Sequence, residues 1–241
     1  MTAIYKRELY SFFTTPIGYV YIAMFWAVSS FAFCVTTLLA GMDSSISSYF
    51  TYELIIVALM TPLLTMRSFS DERRLKTEQL LLTAPVTLPG FVAAKFLASY
   101  TMFGATFLIS CINFPIMLSY LSDSYLFHYN AVTALGSCIA LMLVGAAFIA
   151  VGLLISALTE NQMVAAIGTL TASAALLGAS LANSFIGFAP LRAVLRWISI
   201  YARFTGFANG YFDVASLIYY ISFALVCLFI TVRVYEKRRW A

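Results

Sequence analysis

The segment Arg67-Ser68-Phe69-Ser70-Asp71-Glu72-Arg73-Arg74-Leu75-Lys76-Thr77-Glu78-Gln79-Leu80-Leu81-Leu82-Thr83-Ala84-Pro85 is the one dense run of charge in the interior of an apolar chain. Seven of its 19 residues are charged. Apolar runs on both sides are long enough to cross a bilayer. Ser68 or Ser70 can cap a helix start, and Pro85 ends such a helix by Ala84, so the pattern predicts a surface helix over 68–84. Glu72–Lys76 and Arg74–Glu78 stand at i,i+4, each pair contributing about 0.2–0.5 kcal/mol. Most of the charge then faces outward. Two readings stay open from periodicity alone: a docking element, or a solvated loop.

The surrounding composition decides the class. The chain has 241 residues, 62% hydrophobic and 10% charged, with a mean hydropathy of +0.92. A soluble domain carries about 25% charged residues, so lipid is the main solvent here. The expected fold is an all-α membrane protein: one transmembrane domain over 1–241, with six spans at 17–40, 50–66, 91–119, 131–157, 163–182 and 214–232.

Residues 1–15 read as an amphipathic interfacial helix, with Tyr5, Leu9, Phe12 and Phe13 on one face. Pro62 is expected to kink span two, and Asn113-Phe114-Pro115 span three. Lys95, near the start of span three, is expected to snorkel to the surface. Leu121–Asn130 reads as a turn. Span five is rich in small residues (Gly168, Ala172, Ser173, Ala174, Ala175, Gly178, Ala179, Ser180), which permits close approach to another helix, in its own subunit or a neighbouring one. After Pro190, the residues Arg192, Arg196, Ser199 and Arg203 form one polar stripe on an interfacial helix, stopped by Gly206 and Asn209-Gly210. That basic stripe suits lipid phosphates or an anionic substrate.

Orientation follows from lysine and arginine. Eleven of the 14 lie on the side of both termini and the opening segment; Arg192, Arg196 and Arg203 lie opposite. Both termini are therefore expected in the cytoplasm of a multi-pass protein of the cytoplasmic membrane.

Several chemistries are excluded. No lysine follows a glycine and no Gly-x-Gly occurs, so a phosphate-cradling loop is missing. The cysteines Cys34, Cys111, Cys138 and Cys227 are isolated in sequence, and with one histidine they make no metal site. Glu53 and Asp213 stand near span ends, where solvated carboxylates are expected. No catalytic constellation is present, and a net charge of +4 without a basic stripe interleaved with aromatics gives no nucleic-acid surface. A transporter of this composition needs its energy from a partner.

Residues 67–74, then Thr77-x-Gln79-Leu80-Leu81-Leu82-x-x-Pro85 and Ala94-Lys95-Phe96, resemble the signature of ABC-2-type exporter permeases. Tyr5-Lys6-Arg7-Glu8-Leu9-x-x-Phe12-Phe13-x-x-Pro16-Ile17-Gly18-Tyr19 and Phe204-x-x-Phe207-x-x-Gly210-x-Phe212-Asp213 resemble the branch holding the gliding-motility-associated and nitrous-oxide-reductase-maturation permeases. The resemblance implies six spans, an N-terminal interfacial helix, a cytoplasmic coupling helix, and surface or re-entrant helices before span six. It implies no catalytic residue and no cofactor on this chain, ATP and Mg being bound by a partner ABC ATP-binding subunit. Asp71, Glu72, Arg73, Arg74, Lys76, Thr77, Glu78 and Leu81 would couple to that ATPase. A second permease, identical or paralogous, would face this one through spans one and five. Where the family usually has Glu-Leu-Leu this chain has Gln79-Leu80-Leu81 after Glu78, which leaves open which carboxylate meets the ATPase. The expected function is the permease subunit of an ABC exporter; the alternative is a membrane scaffold that anchors an ATPase without transport.

Overall fold

The computed structural model describes residues 2–38, 46–76, 87–112, 124–185 and 199–240, with backbone alone at 37–38, 46–47, 124–131, 181–185 and 240. The helices are α1 (Thr2–Thr14), α2 (Pro16–Phe33, extended by a π turn, Cys34–Leu38), α3 (Ile46–Thr65), α4 (Ser70–Arg74), α5 (Leu88–Ser110), α6 (Ser124–Leu158), α7 (Gln162–Phe185), α8 (Ile200–Ala208) and α9 (Val214–Trp240). Among the described residues no strand occurs. Among the described residues six segments are long and apolar enough to span a membrane: Pro16–Thr36, Ser48–Arg74, Leu88–Ser110, Val132–Leu158, Gln162–Ser180 and Val214–Arg239. The protein is an all-α, multi-pass membrane protein.

The bundle is built around α6, which packs against α3, α5, α7, α8 and α9. Ala140, Ala147 and Ala157 bring its backbone close to its neighbours while Leu141, Val144, Phe148 and Leu153 fill the gaps; all seven are fully buried. Gly152 is needed for its contact with α3: a Cβ there would stand 2.3 Å from Thr65 Oγ1. Small residues at such crossings supply the van der Waals packing that drives helix association in lipid. By contrast α2, α7 and α9 lie at the periphery, turning side chains such as Tyr19, Ile167 and Leu225 outward.

Pro62 sits inside α3 and has no N–H for the carbonyl of Ala58 one turn back. That carbonyl is met by the Ser173 hydroxyl of α7 at 3.3 Å, which also reaches Leu170 O at 3.0 Å. In lipid an unmet backbone carbonyl is costly. The pairing therefore shows why a polar residue faces α3 from the small-residue helix. One stripe of α7 (Ala165, Thr169, Ser173) is buried within this subunit, and the opposite face is exposed.

The structure corrects several expectations. The turn predicted at Leu121–Asn130 is helical from Ser124 onward, as the first part of the 35-residue α6. Span three starts earlier, at Leu88, and its helix closes at Ser110; Asn113-Phe114-Pro115 lies outside the described residues. Glu53 is fully buried in α3 rather than solvated. Ser199 is extended and caps the start of α8, accepting from Ala202 N at 3.2 Å, so the helix that carries Arg203 begins at Ile200; Arg192 and Arg196 lie outside the described residues. Gly206 continues α8, and Gly210, at φ 80°, follows its end. Ile200, Phe204 and Phe207 are fully buried, so α8 inserts its apolar face into the bundle instead of resting on it.

Candidate functional site: the charged end of the bundle

The site forms where α1, the α3–α4 junction and the start of α5 meet. Lys95, on the first turns of α5, is 1% exposed. Its ammonium donates to Ser68 O at 2.5 Å and lies 3.0 Å from Glu72 Oε1 and 3.3 Å from Glu8 Oε1. The rings of Phe69 and Phe91 stand 5.0 and 5.3 Å from it, close enough for cation–π attraction. Arg7 bridges the same two carboxylate oxygens, at 2.9 Å to Glu8 and 2.8 Å to Glu72. Two cations and two anions thus alternate, each carboxylate oxygen shared. The acidic neighbours raise the Arg7 pKa against the opposing effect of its burial.

This geometry revises the expected roles. Lys95 does not snorkel; it is drawn inward by Glu8 of α1 and Glu72 of α4. Glu72, expected to face outward and pair with Lys76, is turned into the protein with 15% exposure. The Glu72–Lys76 helical pair cannot form, because α4 ends at Arg74 and Lys76 adopts φ 56°. The helix expected over 68–84 is therefore interrupted, since a five-residue helix is followed by the left-handed Lys76; residues 77–84 lie outside the described residues. Asp71 also turns inward, accepting from Arg67 Nε at 2.8 Å and from Gln162 Nε2 of α7.

Further contacts pin the segment to the ends of α6, α7 and α9. The Ser156 hydroxyl accepts from Phe69 N and Ser70 N, each at 3.2 Å, satisfying N–H groups that a helix start leaves open. Arg73 donates to Leu158 O at 3.0 Å and meets Glu160 at 2.9 Å. Phe69 packs on Phe91 and Tyr235, with ring centroids 5.8 and 5.1 Å away. Arg238 of α9 donates to Ala157 O at 2.6 Å. Beside these contacts a cleft of about 320 Å³ opens between α1 and the α3–α4 junction. Arg7, Arg67 and Lys95 line it with Glu8, Asp71 and Glu72, so its charge is balanced.

What remains exposed is Arg74 at 63%, Leu75 at 65% and Lys76. Glu160, in the α6–α7 connection, and Met163, at the start of α7, are exposed near them and with Arg74 line a second cleft of about 310 Å³. Thr77, Glu78 and Leu81 lie outside the described residues, as do Arg192 and Arg196. Arg203 is half-buried, its guanidinium 4.1 Å from the centroid of the Tyr219 ring.

The model of a family described as "ABC-2 family transporter protein" matches residues 38–235. The chain belongs to the ABC-2 transporter family. A search among curated proteins finds no match. As a member of the ABC-2 family, the chain is a transmembrane component of an ABC transporter rather than an enzyme. Sequence reasoning missed Glu8, Ser156 and Gln162 as partners of the charged segment. Glu8 left one signal: a carboxylate beside the apolar face of an amphipathic helix, with no lysine at i+3 or i+4.

Proposed function

We propose that this ABC-2 protein is the permease subunit of an exporter in the cytoplasmic membrane, with both termini in the cytoplasm. A separate ABC ATP-binding subunit, carrying ATP and Mg, docks on α4. A second permease, identical or paralogous, completes the path. The branch is that of the gliding-motility and nitrous-oxide-reductase-maturation permeases, as the motifs around Tyr5–Tyr19 and Phe204–Asp213 favour.

One observation carries the reading. The segment is fastened through Glu72, Asp71, Arg73 and Phe69 to α1, α5, α6, α7 and α9, while Arg74, Leu75 and Lys76 point away from the bundle. A force on that outward tip is shared at once by several spanning helices. Asp71 and Glu72 act as anchors, and the contact with the ATPase is made by Arg74, Leu75 and Lys76 together with Glu160 and Met163. The outward faces of α2 and α7, both packed on α3, suit a second permease.

The test is co-expression with each candidate ABC ATP-binding subunit of the source organism. Reversing Arg74 and Lys76 to glutamate should abolish co-purification of the ATPase and its permease-dependent ATP turnover, leaving the thermal unfolding midpoint unchanged. Retention of both would overturn the docking assignment. ATPase capture without ATP-driven movement of any cargo in proteoliposomes would make the chain a scaffold instead.

A further inference from the structure

At the end of the bundle away from the charged site, Cys111 and Cys138 bring their sulfurs to 3.8 Å. Cys111 is the residue that closes α5, and Cys138 lies on α6. They are 27 residues apart, so their meeting is a product of helix packing. Both are half-buried free thiols, and the exposed side chains of Leu108, Ile112, Leu135 and Ile139 lie beside them in sequence. Each of the two cysteines keeps part of its own surface exposed on the bundle. Cys227 is buried and Cys34 is half-buried.

We propose that Cys111 and Cys138 form a redox-active dithiol that closes to an intrachain disulfide. A disulfide bond needs its sulfurs at about 2.05 Å, so closure requires an approach of about 1.8 Å. The co-reactant is a disulfide-bearing oxidant. One cysteine thiolate attacks it, expelling one oxidant thiol and forming a mixed disulfide. The second cysteine thiolate then attacks the cysteine sulfur of that bond and expels the other oxidant thiol. Two cysteine thiols are oxidised and one oxidant disulfide is reduced to two thiols. The new bond would tie the outer end of α5 to α6, the two helices whose opposite ends hold Lys95 and Ser156.

The experiment treats the purified full chain with dithiodipyridine, quenches with N-ethylmaleimide, and maps the digest by mass spectrometry. The expected result is a linked Cys111–Cys138 peptide, with both of these thiols lost to maleimide and restored by dithiothreitol; a chain that yields no linked peptide overturns the proposal. Cys111→Ser and Cys138→Ser should each leave a thiopyridyl adduct on the remaining partner and no linked peptide. Stable adducts on both cysteines of the native chain, or a bond joining two copies, would overturn the proposal. These readouts need no ATPase and no transport, so they stand apart from the proposed function.

Discussion

Lys95 Nζ and Glu72 Oε1 lie 3.0 Å apart, and the lysine is 1% exposed. This pair joins the first spanning helix after the charged segment to the segment itself, with Glu8 and Arg7 closing the ring. Removing one member of a buried ion pair leaves an uncompensated charge and costs about 3–5 kcal/mol. Lys95→Met should therefore lower the thermal unfolding midpoint of the detergent-solubilised protein markedly. Lys95→Met combined with Glu72→Gln should recover more than half of that loss. A Lys95→Met protein that unfolds like the parent would remove the ring from the structural account.

Ser173 and Pro62 make a second coupled pair, joined through the Ala58 carbonyl. Ser173→Ala should cost about 0.5–1.5 kcal/mol, the net worth of one hydrogen bond. In a Pro62→Ala background the residue at position 62 offers its own N–H to Ala58, so the same Ser173→Ala change should cost close to nothing. A double-mutant cycle on unfolding free energies reads the difference; strictly additive effects would break the proposed link.

Asp213 caps α9, accepting from Ala215 N at 3.0 Å, Ser216 N at 3.2 Å and Ser216 Oγ at 2.5 Å. The Ser216 hydroxyl, then the Ala215 N–H, holds its carboxyl below the usual aspartate value of 3.8. A depressed carboxylate pKa means that the cap's contribution is present above the unfolded value and is lost as pH falls through the folded one. Carboxyl carbon NMR should show Asp213 titrating below pH 3.8, and Asp213→Asn should keep the first turn of α9 without that acid loss. Titration at or above the usual value would contradict the capping geometry.

Tyr211 and Leu75 are 74% and 65% exposed, and the proposed orientation puts them on opposite faces of the membrane. In intact cells a membrane-impermeant maleimide should label Tyr211→Cys, whereas Leu75→Cys should react only after permeabilisation. The reverse pattern would invert the topology.

The spanning helices were legible because each is a long apolar run with few competing signals. Their ends were less so: the polar residues near 121–130 read as a turn, yet α6 carries its helix back to Ser124. The charged site was legible as a place and misread in its wiring. Glu72–Lys76 satisfied the spacing rule for a helix, but that rule sees no further than one turn. Lys95 finds its partners 23 and 87 residues away, on helices that only packing brings near. The thiols of Cys111 and Cys138 were hidden for the same reason. Glu53 misled differently: its nearness to a span end pointed to water, while the neighbouring helices cover it.

The brevity of α4 has a consequence for anyone wishing to imitate it. Five residues are too few to hold a helix alone in water, and the N–H groups at its start are met by Ser156, 86 residues further along the chain. A synthetic peptide copied from Arg67–Lys76 would carry the right letters without the shape they take here. Moving this exposed tip onto another protein would mean transplanting the ends of α1, α5, α6 and α7 together with it.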